Sequence, residues 1–144
     1  MKLKISAKRY FDTNGYRNRS VIICYKDKTF SQVLLISSLD DKNMRWKIPG
    51  GHVEKGEVPY EAAIREVHEE AGVRGERFSY IDSYEDSKNN VKNHIFTCIV
   101  SELDEKYEEA QFNRIRKWFP ISEAIECLKD YKLVHSKWLK DSLQ

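Results

Sequence analysis

A Pro-Gly-Gly turn at Pro49-Gly50-Gly51, then a helix-length run that opens at Pro59 and stops before Gly72, constrains this chain more than any other feature. Pro suits the first turn of a helix and Gly the residue just past its end, so the spacing predicts a helix from Pro59 to about Ala71. At about 100° per residue, Glu66, Glu69 and Glu70 fall within an arc of about 100°, while Tyr60, Ile64, Val67 and Ala71 gather on another face. One face is expected to pack and one to collect carboxylates. Two glutamates about 6 Å apart repel by roughly 3 kcal/mol at an effective dielectric of about 20, so three on one arc imply a cation joining them. Oxygen-only donors favour a hard ion, Mg²⁺ or Mn²⁺, over zinc. Gly50 and Gly51, lacking side chains, let backbone amides and carbonyls come close to a metal or a phosphate. Arg65 is placed to pair with Glu69 or Glu57 and to orient a carboxylate.

Short apolar runs surround this segment. Ser20 to Tyr25 and Val33 to Ile36 read as paired, buried strands, with further strands at Trp46-Lys47-Ile48, Phe78 to Tyr84, His94 to Val100 and Lys117 to Ile121. Ser122 is expected to cap a helix through Leu128, and Val134, Trp138 and Leu139 mark an amphipathic C-terminal helix. Strands with helices between and after them imply a sheet covered by helices, in one domain over residues 1–144.

Charge is unevenly spread. The net +2 divides into +7 over residues 1–49, −4 over 50–73, −4 over 74–113 and +3 over 114–144. Two basic ends bracketing an acidic middle suit a site that joins metal-binding carboxylates to a clamp for a polyanion. Cys24, Cys98 and Cys127 are odd in number and lie in apolar stretches, so they are expected to be reduced core thiols in a cytosolic chain, with the nucleus admitted. No apolar run approaches the length of a signal peptide or membrane span, and no membrane association is expected.

Gly51, Glu57 and Arg65-Glu66-Val67-x-Glu69-Glu70-x-Gly72-Val73 together resemble the 23-residue Nudix box, here residues 51–73, at every specified position. That resemblance implies an α/β/α sandwich with a mixed sheet and an enzyme that cleaves a diphosphate linkage. It also implies that Glu66, Glu70 and the Gly50 carbonyl hold the metal, and that Glu69 accepts a proton from water. The base varies across the family, so Glu69 and Glu70 remain interchangeable in that role.

The flanks resemble the diphosphoinositol polyphosphate phosphohydrolases: Arg9-x-x-Asp12-x-x-Gly15-Tyr16-Arg17-x-Arg19, Trp46-x-x-Pro49 and Arg114-x-Arg116-x-Trp118-Phe119 carry the likeness. The resemblance implies that Arg9, Arg17, Asn18, Arg19, Ser38, Arg114 and Lys132 bind substrate. The implied reaction is Mg²⁺-dependent removal of the β-phosphate from a diphosphoinositol polyphosphate. Diadenosine penta- and hexaphosphates stand as the alternative substrates, capped RNA as a side activity, and a silent inositol-phosphate or RNA binder as a third reading. The chain departs from that family at His52, where a third glycine is usual, after Ser38, where Lys42 is the next cation, and at Lys88 to Lys92, where the basic cluster is thinner. His94 and His135 have no partners at metal spacing and are expected to pack or face solvent, as is His68; Trp46, Trp118 and Trp138 are expected in the core.

Overall fold

A computed structural model describes residues 11–39 and 45–144. In chain order the elements are β1 (Arg17–Tyr25), β2 (Gln32–Ser37), β3 (Trp46–Lys47), β4 (Gly50–His52), α1 (Pro59–Ala71), β5 (Val73–Asp86) and β6 (Val91–Leu103). A 3₁₀ turn (Glu108–Phe112), β7 (Arg116–Pro120), α2 (Ile121–Tyr131) and α3 (Leu133–Ser142) complete the described chain. The seven strands make one sheet in the order β3-β2-β1-β6-β5, with β4 added to β1 and β7 to β2. β1 and β6 run parallel from Arg17↔Val91 to Tyr25↔Ile99, and the remaining pairings are antiparallel.

β1 is buried on both faces, which is why its apolar run is continuous rather than alternating. Val21, Ile23 and Tyr25 pack with Val33, Leu35 and Phe119 against Ala124 and Leu128 of α2 and Trp138 and Leu139 of α3. Ile22 and Cys24 pack with Leu34, Ile36, Phe96 and Cys98 against Ala63, Val67 and Ala71 of α1. The period of two along a strand thus splits one run between two cores, each buried Val, Leu or Ile contributing about 1.5–3 kcal/mol. The result is the expected α/β/α sandwich with a mixed sheet. All three cysteines are free thiols, Cys24 and Cys98 fully buried.

α1 has the predicted limits. Val58 N–H donates to Oε1 of Glu61 at 3.0 Å at its start, and Gly72, at φ 64°, closes it with its N–H on the carbonyls of Val67 and His68. That left-handed conformation is the reason for glycine there. Its packing face differs from the expected one: Tyr60 and Ile64 stay 48% and 40% exposed, while Ala62, Ala63, Val67 and Ala71 are buried. Small alanines allow close approach to the sheet, and the bulkier pair is left at the rim beside β5.

Two other boundaries are corrected. Ser122 is not the cap, since α2 starts one residue earlier at Ile121, with the extended Pro120 (φ −57°, ψ 146°) in the N-cap position, and it continues to Tyr131. β5 is longer than the weak alternation of Phe78 to Tyr84 indicates, because its pairing with β6 shifts register at three places and Arg77 takes φ 55°. Such bulges scramble the alternation from which a strand is read.

Candidate active site

The site forms where β1, β4 and α1 meet. β4 pairs with the start of β1, setting His52 opposite Arg19, Gly51 opposite Ser20 and Gly50 opposite Val21. Ser20 Oγ donates to the carbonyl of Pro59 at 2.8 Å, tying the first turn of α1 to the same stretch of β1. Neither glycine of β4 has a positive φ; what each provides is space. A Cβ on Gly51 would lie 1.9 Å from Oε2 of Glu66, and one on Gly50 would lie 2.6 Å from the carbonyl oxygen of Ser20.

A cavity of about 180 Å³ opens there, lined by Arg19, Lys47, Gly50, Gly51, His52, Glu54, Glu66 and Glu70. Glu66 is 0% exposed and Glu70 3%, so both carboxylates lie against the sheet rather than on a solvated helix face. Two buried carboxylates are tolerated only where hydrogen bonds and cations meet them. Gly50 N–H donates to Oε1 of Glu70 at 2.8 Å, and Nη2 of Arg114 stands 3.6 Å from Oε2. Arg114 is in turn held from Nε and Nη2 by Oε1 of Glu109, at 3.0 and 2.8 Å, and from Nη1 by the carbonyl of Ser37.

Arg65 serves the other carboxylates. Its Nε and Nη2 donate to the two oxygens of Glu57 at 2.8 and 2.9 Å. Its Nη1 reaches Glu66 at 2.8 Å and Glu69 at 3.3 Å, and Nη2 also donates to the carbonyl of His52. The bond to Glu57, with Glu66 beside it, holds the guanidinium pKa above its usual value, and the same bond lowers that of Glu57. The expected pairing of Arg65 with Glu57 or Glu69 therefore occurs with both. Of Glu66, Glu69 and Glu70, Glu69 is the most open, its side chain 25% exposed.

Of the residues expected to bind substrate, Arg9 lies outside the described residues. Arg19 lines the cavity, and its Nη1 donates to Asn93 Oδ1 at 3.5 Å. Arg17, two residues earlier, shares its side of β1 and is half-buried. Asn18 faces the other way and bridges inward, accepting from Nε2 of His94 at 2.7 Å and donating to Asp12 at 2.9 Å. Ser38 follows β2, half-buried, its N–H on the carbonyl of Arg45. Arg114 is 6% exposed, its Nη2 3.6 Å from Oε2 of Glu70. Lys132 joins α2 to α3; burial lowers the pKa of both Lys47 and His135, and the charge of Lys132 adds to it.

The structure adds two residues that the sequence reading missed. Glu109, buried in the 3₁₀ turn, orients Arg114; its position in an acidic run gave no signal of that. Lys47 lines the cavity, and the available signal was a cation between Trp46 and Ile48 just before the glycine turn. His135 is buried and stacks on Trp138 at 5.0 Å, and its Nδ1 accepts the N–H of Ile48 at 3.2 Å. Burial, with Lys132, Arg19 and Lys47 nearby, pushes its pKa down to about 3. His68 is exposed and pairs with Asp104. Trp138 lies in the core, and Trp46 and Trp118 are partly buried against it.

Among the described residues no three His, Cys, Asp or Glu side chains converge as a metal's full ligand set. The fit to a hard cation rests instead on Glu66 and Glu70, buried at one cavity with glycine backbone beside them, an all-oxygen set. That a Cβ on Gly51 would fall 1.9 Å from Oε2 of Glu66 is the clearest sign that this space is reserved for the Glu66 carboxylate.

The NUDIX domain family matches residues 16–141. Diphosphoinositol polyphosphate phosphohydrolase 3-alpha of Mus musculus is 36% identical over 142 residues, covering 97% of this chain and 86% of that protein. Diphosphoinositol polyphosphate phosphohydrolase 2 of Homo sapiens is 33% identical over 141 residues, 97% of this chain and 78% of that protein. The solved structure of a NUDIX hydrolase from Nitrosomonas europaea superposes with a TM-score of 0.72 at 20% identity, covering 88% of each chain, a likeness of fold alone. The chain belongs to the Nudix hydrolase family and is related within it to the diphosphoinositol polyphosphate phosphohydrolases.

Proposed function

We propose that this Nudix hydrolase removes the β-phosphate from a diphosphoinositol polyphosphate, releasing orthophosphate. The observation that carries the reading is the cavity in which Glu66 and Glu70 stand beside the cations Arg19 and Lys47, in a chain whose relatives are named for that substrate. A divalent ion, Mg²⁺ or Mn²⁺, held by Glu66, Glu70 and the Gly50 carbonyl would supply charge neutralisation at the diphosphate and a lower pKa for the attacking water. Glu69 accepts the proton of that water as its oxygen bonds to the β-phosphorus. The phosphoanhydride P–O bond breaks, and the α-phosphate leaves on the inositol. Arg65 fixes Glu69 and Glu66 relative to each other. Arg19, Arg17 and Lys132 hold the phosphates of the ring, guanidinium forks suiting paired phosphate oxygens.

A second substrate, a dinucleoside polyphosphate, is favoured by one feature. Beside the start of α1, Val58, Tyr60, Phe78, Tyr80, His94 and Phe96 line a groove of about 500 Å³. Tyr60 and Tyr80 are about half exposed there, and a purine stacks on such rings. The deciding experiment is phosphate release with Mg²⁺ from a diphosphoinositol polyphosphate, diadenosine hexaphosphate and ADP-ribose at matched concentrations. The inositol substrate is expected to be cleaved fastest. Turnover of ADP-ribose alone would overturn the substrate, and no turnover of any would overturn the enzyme.

A further inference from the structure

Lys47 stands among the cations of this cavity, yet no contact with substrate has been assigned to it. It is the second residue of the two-residue strand β3, opposite Ile36 of β2. Both its neighbours are anchored. Trp46 packs edge-on against Phe119 with ring centroids 5.0 Å apart, and the N–H of Ile48 is held by His135. The lysine stem is therefore presented from rigid backbone into the cavity that holds Glu66 and Glu70.

The ammonium reaches that cavity without a counter-ion of its own. Among the described residues Nζ makes no hydrogen bond and no ion pair. Burial lowers its pKa; among the described residues Glu70 opposes that shift, and Arg114, Arg19 and Lys132 add to it. Glu70 is already engaged by Gly50 N–H and faced by Arg114. A desolvated, unpaired ammonium is costly unless something brings negative charge to it.

We infer that Lys47 is a substrate-binding residue that grips the diphosphate to be cleaved. It takes the position at the cavity that Arg114, buried and committed to Glu109 and Ser37, does not occupy. The assignment rests on the hydrolase reading of this cavity but on no particular organic moiety, since its contact is with the phosphates. A single ammonium on a flexible stem gives a point charge to a non-bridging oxygen, and Arg19 adds a second cation at the same wall.

The test is titration calorimetry with inorganic pyrophosphate in Mg²⁺, on the wild type, Lys47→Met and Lys47→Arg, with thermal unfolding of each. Lys47→Met is expected to weaken pyrophosphate binding at least tenfold, and Lys47→Arg to stay within about threefold of wild type. Steady-state kinetics on the diphosphoinositol substrate should show the same order, with the larger change in KM. Unchanged pyrophosphate affinity in Lys47→Met, equal losses in both variants, or no binding by the wild type would each overturn the role. If pyrophosphate binding falls as expected while the diphosphoinositol substrate is not cleaved, Lys47 stands and the substrate assignment fails.

Discussion

The backbone N–H of Gly50 donates to Oε1 of Glu70 across 2.8 Å, so the residue whose carbonyl is assigned to the metal also holds one of the carboxylates assigned to it. Replacing that carboxylate by an amide keeps its shape and removes its charge. Glu70→Gln and Glu66→Gln are each expected to lower kcat by at least about 10²-fold, with far-UV circular dichroism unchanged. Full activity in both variants would remove the metal assignment.

The two glycines of β4 should fail differently. A Cβ on Gly51 meets the Glu66 carboxylate at 1.9 Å, a side chain that can move, whereas one on Gly50 meets the Ser20 carbonyl at 2.6 Å in the β1 backbone. Gly51→Ala is expected to fold and lose activity by about 10²-fold, since a displaced catalytic group of about 1 Å costs that much. Gly50→Ala is expected to lose stability by roughly 1–3 kcal/mol, measurable by urea unfolding. The reverse pattern would contradict the placement of Glu66.

Arg65→Lys conserves charge but not the fork. Lysine has one nitrogen where Arg65 spreads contacts over Glu57, Glu66, Glu69 and the His52 carbonyl. The variant is expected to unfold at lower urea, by roughly 1–3 kcal/mol, and to show reduced kcat because Glu69 is no longer fixed. Equal stability and rate would show that charge alone suffices.

His135 makes folding sensitive to acid. Its pKa is pushed down to about 3 in the folded chain, against 6.5 in a free side chain, so below pH 6.5 the unfolded state binds more protons. Its contribution to stability is therefore complete above about pH 6.5 and is lost as pH falls from there toward 3, at up to about 1.4 kcal/mol per unit. His135→Gln, which can still accept from Ile48 N–H, should flatten that part of the urea-derived stability profile between pH 6 and 4. An unchanged slope would mean that other groups set it.

The limits of α1, the strand pair β1 and β2 and the carboxylate arc were legible because each follows from local rules: Pro and Gly at helix ends, continuous apolar runs, and helical spacing. What the sequence hid is relational. Arg114 lies in a strongly charged stretch, yet the fold buries it between Glu109 and Glu70, a partnership no spacing announces. Lys47 sits between two hydrophobic neighbours in what reads only as a strand; the fold sets it in the wall of the cavity that holds Glu66 and Glu70. Tyr60 and Ile64 were placed in the packing stripe because a helical wheel does not show how far the sheet extends.

β1 finds its parallel neighbour β6 across 74 positions of sequence, as the Arg19 and Asn93 contact illustrates. Closing so long a loop comes before any reward from the ladder it permits, and such non-local pairing slows folding. Arg19 belongs to that ladder, whereas α1 and its glutamates are local in sequence. During folding the carboxylates are therefore expected to gather before the cations that oppose them, leaving the nascent chain briefly with like charges crowded on one helix. Dissolved divalent ions would relieve that crowding, so refolding should quicken with Mg²⁺ even where the equilibrium stability changes little.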